Sequence, residues 1–298
     1  MNKVVRRLLG ACIGGASIHS GCRRRAVRRL LASGNVLCLF SHDPALPVLE
    51  RQVRWLKNTG FRFVSQDEVL GAVERRGALP RGSVWLSFDD GWQRNLTDVV
   101  PVLKREGIPA TFFIAPEAIR IGRVWTDFLR REDRSRIGVF LAMRNDERRA
   151  RMPGWVDAAR ANGRANRLLM TADSIANLAS NGLFRFENHT LTHASAVSCS
   201  AEGFLREVRE ADSEIAEWTG RRTSLLCYPF GLWNADCEQV LRTNGWLPVT
   251  SDPGMLSLCE GQRPSRLPRN LFYDRMSLAE NSCRSVGAWL RISSNRLP

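Results

Sequence analysis

Lysine is nearly absent from this chain: among 44 basic residues, only Lys3, Lys57 and Lys104 are lysines. The formal charge of +14 at pH 7 is carried instead by arginines spread along the whole length. With no RNA- or DNA-binding signature beside it, that spread argues against a specific nucleic-acid partner. It leaves attraction to anionic surfaces such as phospholipid head groups. Also missing is any CxxC pair: the eight cysteines, at 12, 22, 38, 199, 227, 237, 259 and 283, follow no framework spacing. This argues against a disulfide scaffold, and Cys38 and Cys227, inside apolar runs, read as small buried hydrophobes of a reducing compartment. No apolar run is long enough to cross a bilayer, and no internal repeat or low-complexity tract occurs.

What is present is an ordinary globular composition, 44% hydrophobic and 25% charged over 298 residues, enough for a sizeable core. Lys3, Arg6 and Arg7 precede the short apolar stretch Leu8–Ile13, and arginines at 23, 24, 25, 28 and 29 follow. Residues 1–33 read as a basic amphipathic leader helix, lying on a membrane surface or on the domain itself, with a signal sequence as the alternative. The expected location is cytoplasmic or peripheral at the inner membrane, with an extracytoplasmic one as the alternative.

From residue 34 onward, short apolar runs alternate with helical periodicity. Val36–Phe40, Phe61–Val64, Val84–Phe88, Ala110–Ala115, Leu183–Phe186, Leu225–Tyr228 and Trp246–Thr250 read as strands. Ser65 with Glu68, and Thr171, are helix-start signals, and Ser282–Arg291 reads as a covering helix. Residues 120–167, arginine-rich with scattered aromatics, read as an inserted stretch of helices and loops. Strand-then-helix alternation predicts parallel strands with crossover helices, an α/β chain suited to an incomplete βα barrel over 34–298. In such barrels chemistry sits where strands end, and His42, Asp89-Asp90, His189/His193 and Pro229-Phe230-Gly231 all fall there.

Histidine is scarce too: only 19, 42, 189 and 193. His189 and His193 stand four apart, so a helical turn or a tight loop can aim both imidazoles at one point. Two imidazoles and a carboxylate are a common divalent-cation set. The pair Asp89-Asp90 at a strand end wants a metal ion, a basic partner or water, with a solvated acidic turn as the alternative.

Phe88-Asp89-Asp90-Gly91, Asn188-His189-Thr190-Leu191-Thr192-His193 and Tyr228-Pro229-Phe230-Gly231 resemble, in order and separation, successive motifs of the polysaccharide deacetylases, the NodB-like carbohydrate esterases of family four. The resemblance covers roughly 34–270 and implies a distorted (β/α)7 barrel that removes N-acetyl groups from a glycan, with a metal-bound water as nucleophile. It implies Asp89 as catalytic base and Asp90, His189 and His193 as ligands of a divalent ion, zinc by preference. It further implies an acetate pocket at Tyr228, Pro229, Phe230 and Gly231, with the Phe230 backbone N–H on the oxyanion.

Two departures stand out. Cys227 occupies the place of a motif arginine, and no histidine follows His193 to act as the acid. Leu37–His42 resembles the strand-then-His signature of a permuted branch, which would make His42 that acid. Arg266 or Arg269 is a candidate for the missing guanidinium, although a surface position is the default for each. Trp92, Trp125 and Trp233 are candidates for stacking on sugars. The substrate class so implied is a polysaccharide, lipid-linked oligosaccharide or glycolipid. A catalytically impaired carbohydrate-binding relative and a membrane- or nucleic-acid-binding surface protein are the alternatives.

Overall fold

The computed structural model describes residues 12, 14–16, 18–19, 21–75, 79–129, 137–161, 166–258, 264–274 and 276–288. In chain order the elements are α1 (Cys22–Ala32), β1 (Leu37–Ser41), α2 (Leu46–Thr59), β2 (Arg62–Val64), α3 (Gln66–Arg75), β3 (Ser83–Asp89), α4 (Val100–Glu106), β4 (Ala110–Ile114) and α5 (Pro116–Ile121). There follow α6 (Ile137–Ala142), α7 (Asn145–Ala161), α8 (Ala172–Ala179), β5 (Phe184–Asn188), α9 (Ala201–Thr219), β6 (Leu225–Cys227), α10 (Ala235–Thr243), β7 (Leu247–Val249), β8 (Asn270–Leu271) and α11 (Leu278–Ser285). Two compact units are distinguished, the first Met1–Ser87, Asp98–Ala110 and Ser251–Pro298, the second Phe88–Thr97 and Thr111–Thr250.

In the first unit β1 has β3 on one side and β8 on the other, and β2 lies on the far side of β3. β1 and β8 run parallel with Leu39 opposite Asn270, and β2 and β3 run parallel with Val64 opposite Trp85. All of β1 is buried, as a strand covered on both faces must be. Helix α2 turns Leu49, Val53 and Leu56 inward at helical spacing and ends at Gly60 in the left-handed conformation. The expected capping box opens α3: Glu68 accepts from the backbone N–H of Ser65, and Ser65 Oγ accepts from Glu68 N. Helix α1 lies on the body of this unit. Val27 and Leu30 are buried, and Arg23 donates to Ser282 Oγ and covers the Trp55 ring. No helix among the described residues is long and apolar enough to cross a membrane.

Two differences from the sequence reading concern the C-terminal part. The strand β8 went unpredicted because two residues cannot display an alternation. The covering helix begins earlier than expected, at Leu278, where Ser277 caps it by accepting from Glu280 N, and residues 289–291 lie outside the described residues.

In the second unit the order is β4-β5-β6-β7. β5 and β6 are parallel with Asn188 opposite Leu226, and β6 and β7 are parallel with Cys227 opposite Val249. Phe88, from the end of β3, stacks on Phe112, which stacks in turn on Phe186 and meets Phe184 edge-on. This aromatic column fixes the strands whose ends carry the acidic pair and the histidines. Of the stretch expected as an insertion, 120–167, the described residues form the end of α5, a 3-10 turn at Trp125–Phe128, α6 and α7, with a small cluster of Trp125, Phe128, Leu129 and Met152, and residues 130–136 and 162–165 lie outside the described residues.

Candidate metal and catalytic site

Where β3 stops, both carboxylates are buried. Asp90 sits at φ 70°, and Gly91 follows at φ 72°. A Cβ on Gly91 would lie 2.9 Å from Ile114 Cγ2, so glycine is required by both backbone and space. The turn sends Asp90 toward the histidines. Its Oδ2 accepts from Trp92 Nε1 at 3.0 Å, while Oδ1 stands 3.1 Å from His193 Nε2 and 3.5 Å from His189 Nε2.

The two histidines are presented by a tight loop rather than a helical turn. Asn188 Oδ1 accepts from Thr190 N, and Thr190 Oγ1 accepts from Ala194 N, each at 2.8 Å. Thr190 and His193 are thereby held at φ 61° and 56°. With Asp90 and Phe230 (φ 62°) they are the non-glycine residues of positive φ among those described, and all four lie at this site. Such conformations cost of order 1–3 kcal/mol each and persist only where surrounding contacts dictate them.

Those contacts are visible. Buried Glu207 of α9 accepts from Thr192 N (2.9 Å) and from Thr192 Oγ1 (3.0 Å), and its backbone carbonyl accepts from Leu191 N. Arg148 of α7 donates to Thr192 Oγ1 and to Asn145, and Asn145 donates to Glu207. Trp125 Nε1 donates to the His193 carbonyl at 3.1 Å. The sequence reading assigned none of these partners this role, although Asn188, placed before a turn, carries a familiar side-chain-to-backbone signal.

His189 Nδ1 lies 2.7 Å from the carbonyl oxygen of Cys227. A carbonyl only accepts, so Nδ1 carries the hydrogen, and in the neutral ring Nε2 presents its lone pair toward Asp90. Burial alone disfavours the charged ring of His189. Cys227, Asp90 and Asp89 outweigh it, and the pKa stands well above the ordinary histidine value. At His193 burial prevails over Asp90, and the pKa falls below that value.

Two donors each about 2.0–2.1 Å from a tetrahedral cation stand roughly 3.4 Å apart. The separations of 3.1 and 3.5 Å around Asp90 Oδ1 match that spacing. Asp90, His189 and His193 therefore fit a divalent ion.

Asp89 lies beside this set. Its Oδ2 is 3.8 Å from Cys227 Sγ, the side chain standing where the motif arginine was expected. Phe230 is 38% exposed, with its ring 4.7 Å from that of His193 and 5.9 Å from that of Trp125. Gly231 is half-buried.

Tyr228 is 1% exposed and stacks on Phe204, and Pro229 is buried. Trp125, 3% exposed, holds a loop carbonyl instead of a sugar, and half-buried Trp92 spends its N–H on Asp90. Trp233 packs against the cluster under α10.

In the first unit His42 follows β1, half-buried, with its ring 5.9 Å from that of Phe40. Arg269 is no surface arginine: it is fully buried, donates to Ser87 Oγ at 2.9 Å and lies over the Phe40 ring at 4.3 Å. Nearby, burial pushes the Cys38 thiol up to about 12 against the opposing charge of Arg269. Arg266 is half-buried.

Comparison with known proteins adds an independent view. A family model described as polysaccharide deacetylase matches residues 76–249. Poly-beta-1,6-N-acetyl-D-glucosamine N-deacetylase of Staphylococcus aureus (strain MSSA476) is 21% identical over 204 residues, covering 66% of this chain and 56% of its own length. The chain thus spans little more than half the length of the curated relatives of this type that it matches.

Among solved structures, the deacetylase PplD of Streptococcus pyogenes, in complex with acetate, superposes with a TM-score of 0.62 at 18% identity, over 85% of this chain and 98% of its own. IcaB from Ammonifex degensii gives 0.59 at 19% identity, over 85% and 97%. At such identities the likeness is one of fold. The fold is the α/β fold of the NodB-like deacetylases, the distorted (β/α)7 class expected from the sequence.

Proposed function

This chain belongs to the polysaccharide deacetylase family, and from that premise we propose that it is a metal-dependent hydrolase removing N-acetyl groups from a glycan. The observation that carries the proposal is the convergence of Asp90, His189 and His193 at ligand spacing with a second buried carboxylate, Asp89, alongside. Acetate, the product of such a reaction, accompanies the S. pyogenes deacetylase of like fold.

In this reading Asp90, His189 and His193 hold the cation, and zinc suits their nitrogen and oxygen donors. Held there, a divalent cation would supply Lewis acidity toward the acetyl carbonyl and toward water. Asp89 accepts the proton that water gives up as its oxygen joins the acetyl carbon. The Phe230 backbone N–H is assigned to the developing oxyanion, in the manner of other acyl-transfer sites. As the C–N bond breaks, the amine must gain a proton, and His42 is the proposed donor, since no later histidine is present. The substrate is a polysaccharide, lipid-linked oligosaccharide or glycolipid. The name of the S. aureus relatives makes poly-β-1,6-N-acetylglucosamine the first polymer to try. For the basic N-terminal segment we propose contact with anionic membrane surfaces, tested by salt-sensitive binding to acidic vesicles.

The deciding experiment measures acetate release from N-acetylated glycans with zinc, with a chelator, and in Asp89→Asn. Release that the chelator abolishes, zinc restores and Asp89→Asn lacks despite bound metal is the expected result. Metal and glycan binding without release from any N-acetylated glycan would instead favour a binding-only relative, a reading that Cys227 at the arginine's place keeps in view.

A further inference from the structure

The side chain at the motif arginine's place does more than remove a positive charge. Asp89, His189 and Cys227, all buried, have one donor atom each within 4.8 Å of the others, as do Asp90, His189 and His193. His189 is common to both sets. A sulfur about 2.3 Å and an oxygen about 2.1 Å from a tetrahedral cation stand roughly 3.6 Å apart, against 3.8 Å between Cys227 Sγ and Asp89 Oδ2.

We propose that Asp89, His189 and Cys227 form a second cation seat, overlapping the first and selective for thiophilic divalent ions such as cadmium or excess zinc. Its selectivity follows from the donors. The first set offers two nitrogens and an oxygen and carries one negative charge. The second offers sulfur, nitrogen and oxygen and carries two once the thiol releases its proton to the buffer on coordination. Soft ions therefore gain at the second seat what harder ions such as manganese do not. Because His189 serves both, an ion at the second seat competes with one at the first.

An ion bound there also ties up the Asp89 carboxylate. This consequence, and only this one, rests on the role of Asp89 as proton acceptor proposed above. The chain would thus be inhibited by soft cations at concentrations where a chain with arginine at this place would be indifferent.

The test titrates cadmium into the metal-free full chain and follows the near-ultraviolet thiolate-to-cadmium charge-transfer band. The expected result is a saturable band that Cys227→Ser loses in the difference spectrum, that Asp89→Asn shifts to at least tenfold higher cadmium, and that Asp90→Asn retains. A band identical in wild type and Cys227→Ser would overturn the seat, since the signal would then come from other cysteines, and so would its absence from wild type.

In parallel, acetate release at a fixed cobalt concentration is measured against rising cadmium, each protein normalised to its own cadmium-free rate. Cys227→Ser should need at least tenfold more cadmium for half-inhibition, and equal sensitivity would overturn the inhibitory role. A Cys227-dependent band in a protein that releases no acetate from any glycan would uphold the seat and refute the hydrolase. Metal-dependent release without the band would do the reverse.

Discussion

Trp92 Nε1 donates to Asp90 Oδ2 at 3.0 Å, and the other oxygen, Oδ1, is the one that faces the imidazoles. Replacing Trp92 by Phe keeps the ring and removes the donor. Outer-shell partners of this kind are worth about 10–100-fold in metal affinity. Trp92→Phe should weaken zinc binding within that range, measured calorimetrically, while leaving the circular dichroism unchanged.

Glu207 ties the loop between the two histidines to α9. Its removal leaves the buried Thr192 N–H and the half-buried Asn145 amide without this acceptor. An unsatisfied buried group costs about 1–3 kcal/mol. Glu207→Ala should lower thermal stability by several degrees and weaken metal binding together. A fall in melting temperature with unchanged metal affinity would show that the loop keeps its shape without this anchor.

Gly91 has neither the conformation nor the room for a side chain. Gly91→Ala should lower stability by about 1–3 kcal/mol from backbone strain alone, with the contact at Ile114 adding to it. Denaturant unfolding of the two proteins side by side measures the difference, and a variant as stable as the parent would contradict the geometry.

The raised pKa of His189 gives a pH dependence of definite sign. In the metal-free protein the ring stays protonated above its ordinary titration range, so a cation must displace that proton. Apparent metal affinity should therefore rise with pH, by about tenfold per unit while one proton is released, and level off above the raised pKa. The metal-free fold follows the opposite course. Stability from charged His189 is complete below the unfolded value and is lost as pH rises through the folded one. Calorimetric titrations across that window, with and without zinc, check both trends.

The strands from β1 to β7 were legible because each is a short apolar run ending in a turn, and Val84–Phe88 and Ala110–Ala115 have no other sensible reading. The ligand trio was legible because an acidic pair and an HxxxH spacing both fall at strand ends, and because the motifs that contain them resemble those of the polysaccharide deacetylases. What could not be read was which atoms hold them. Trp92, Trp125, Glu207 and Arg148 are ordinary residues for strand ends and helices, and only tertiary placement turns their polar groups onto the site. Arg269 misled for the same reason: a buried guanidinium needs a Ser87 hydroxyl and a Phe40 ring beneath it, and neither is near it in sequence.

The four left-handed corners at Asp90, Thr190, His193 and Phe230 bear on any attempt to harden this molecule against heat. A scan for stabilising glycines would single out these positions, because relaxing the chain there lowers its energy directly. Each such gain would also unfasten a ligand or the chain beside one. Improvements are better sought on the arginine-covered exterior, where robustness and turnover do not draw on the same residues.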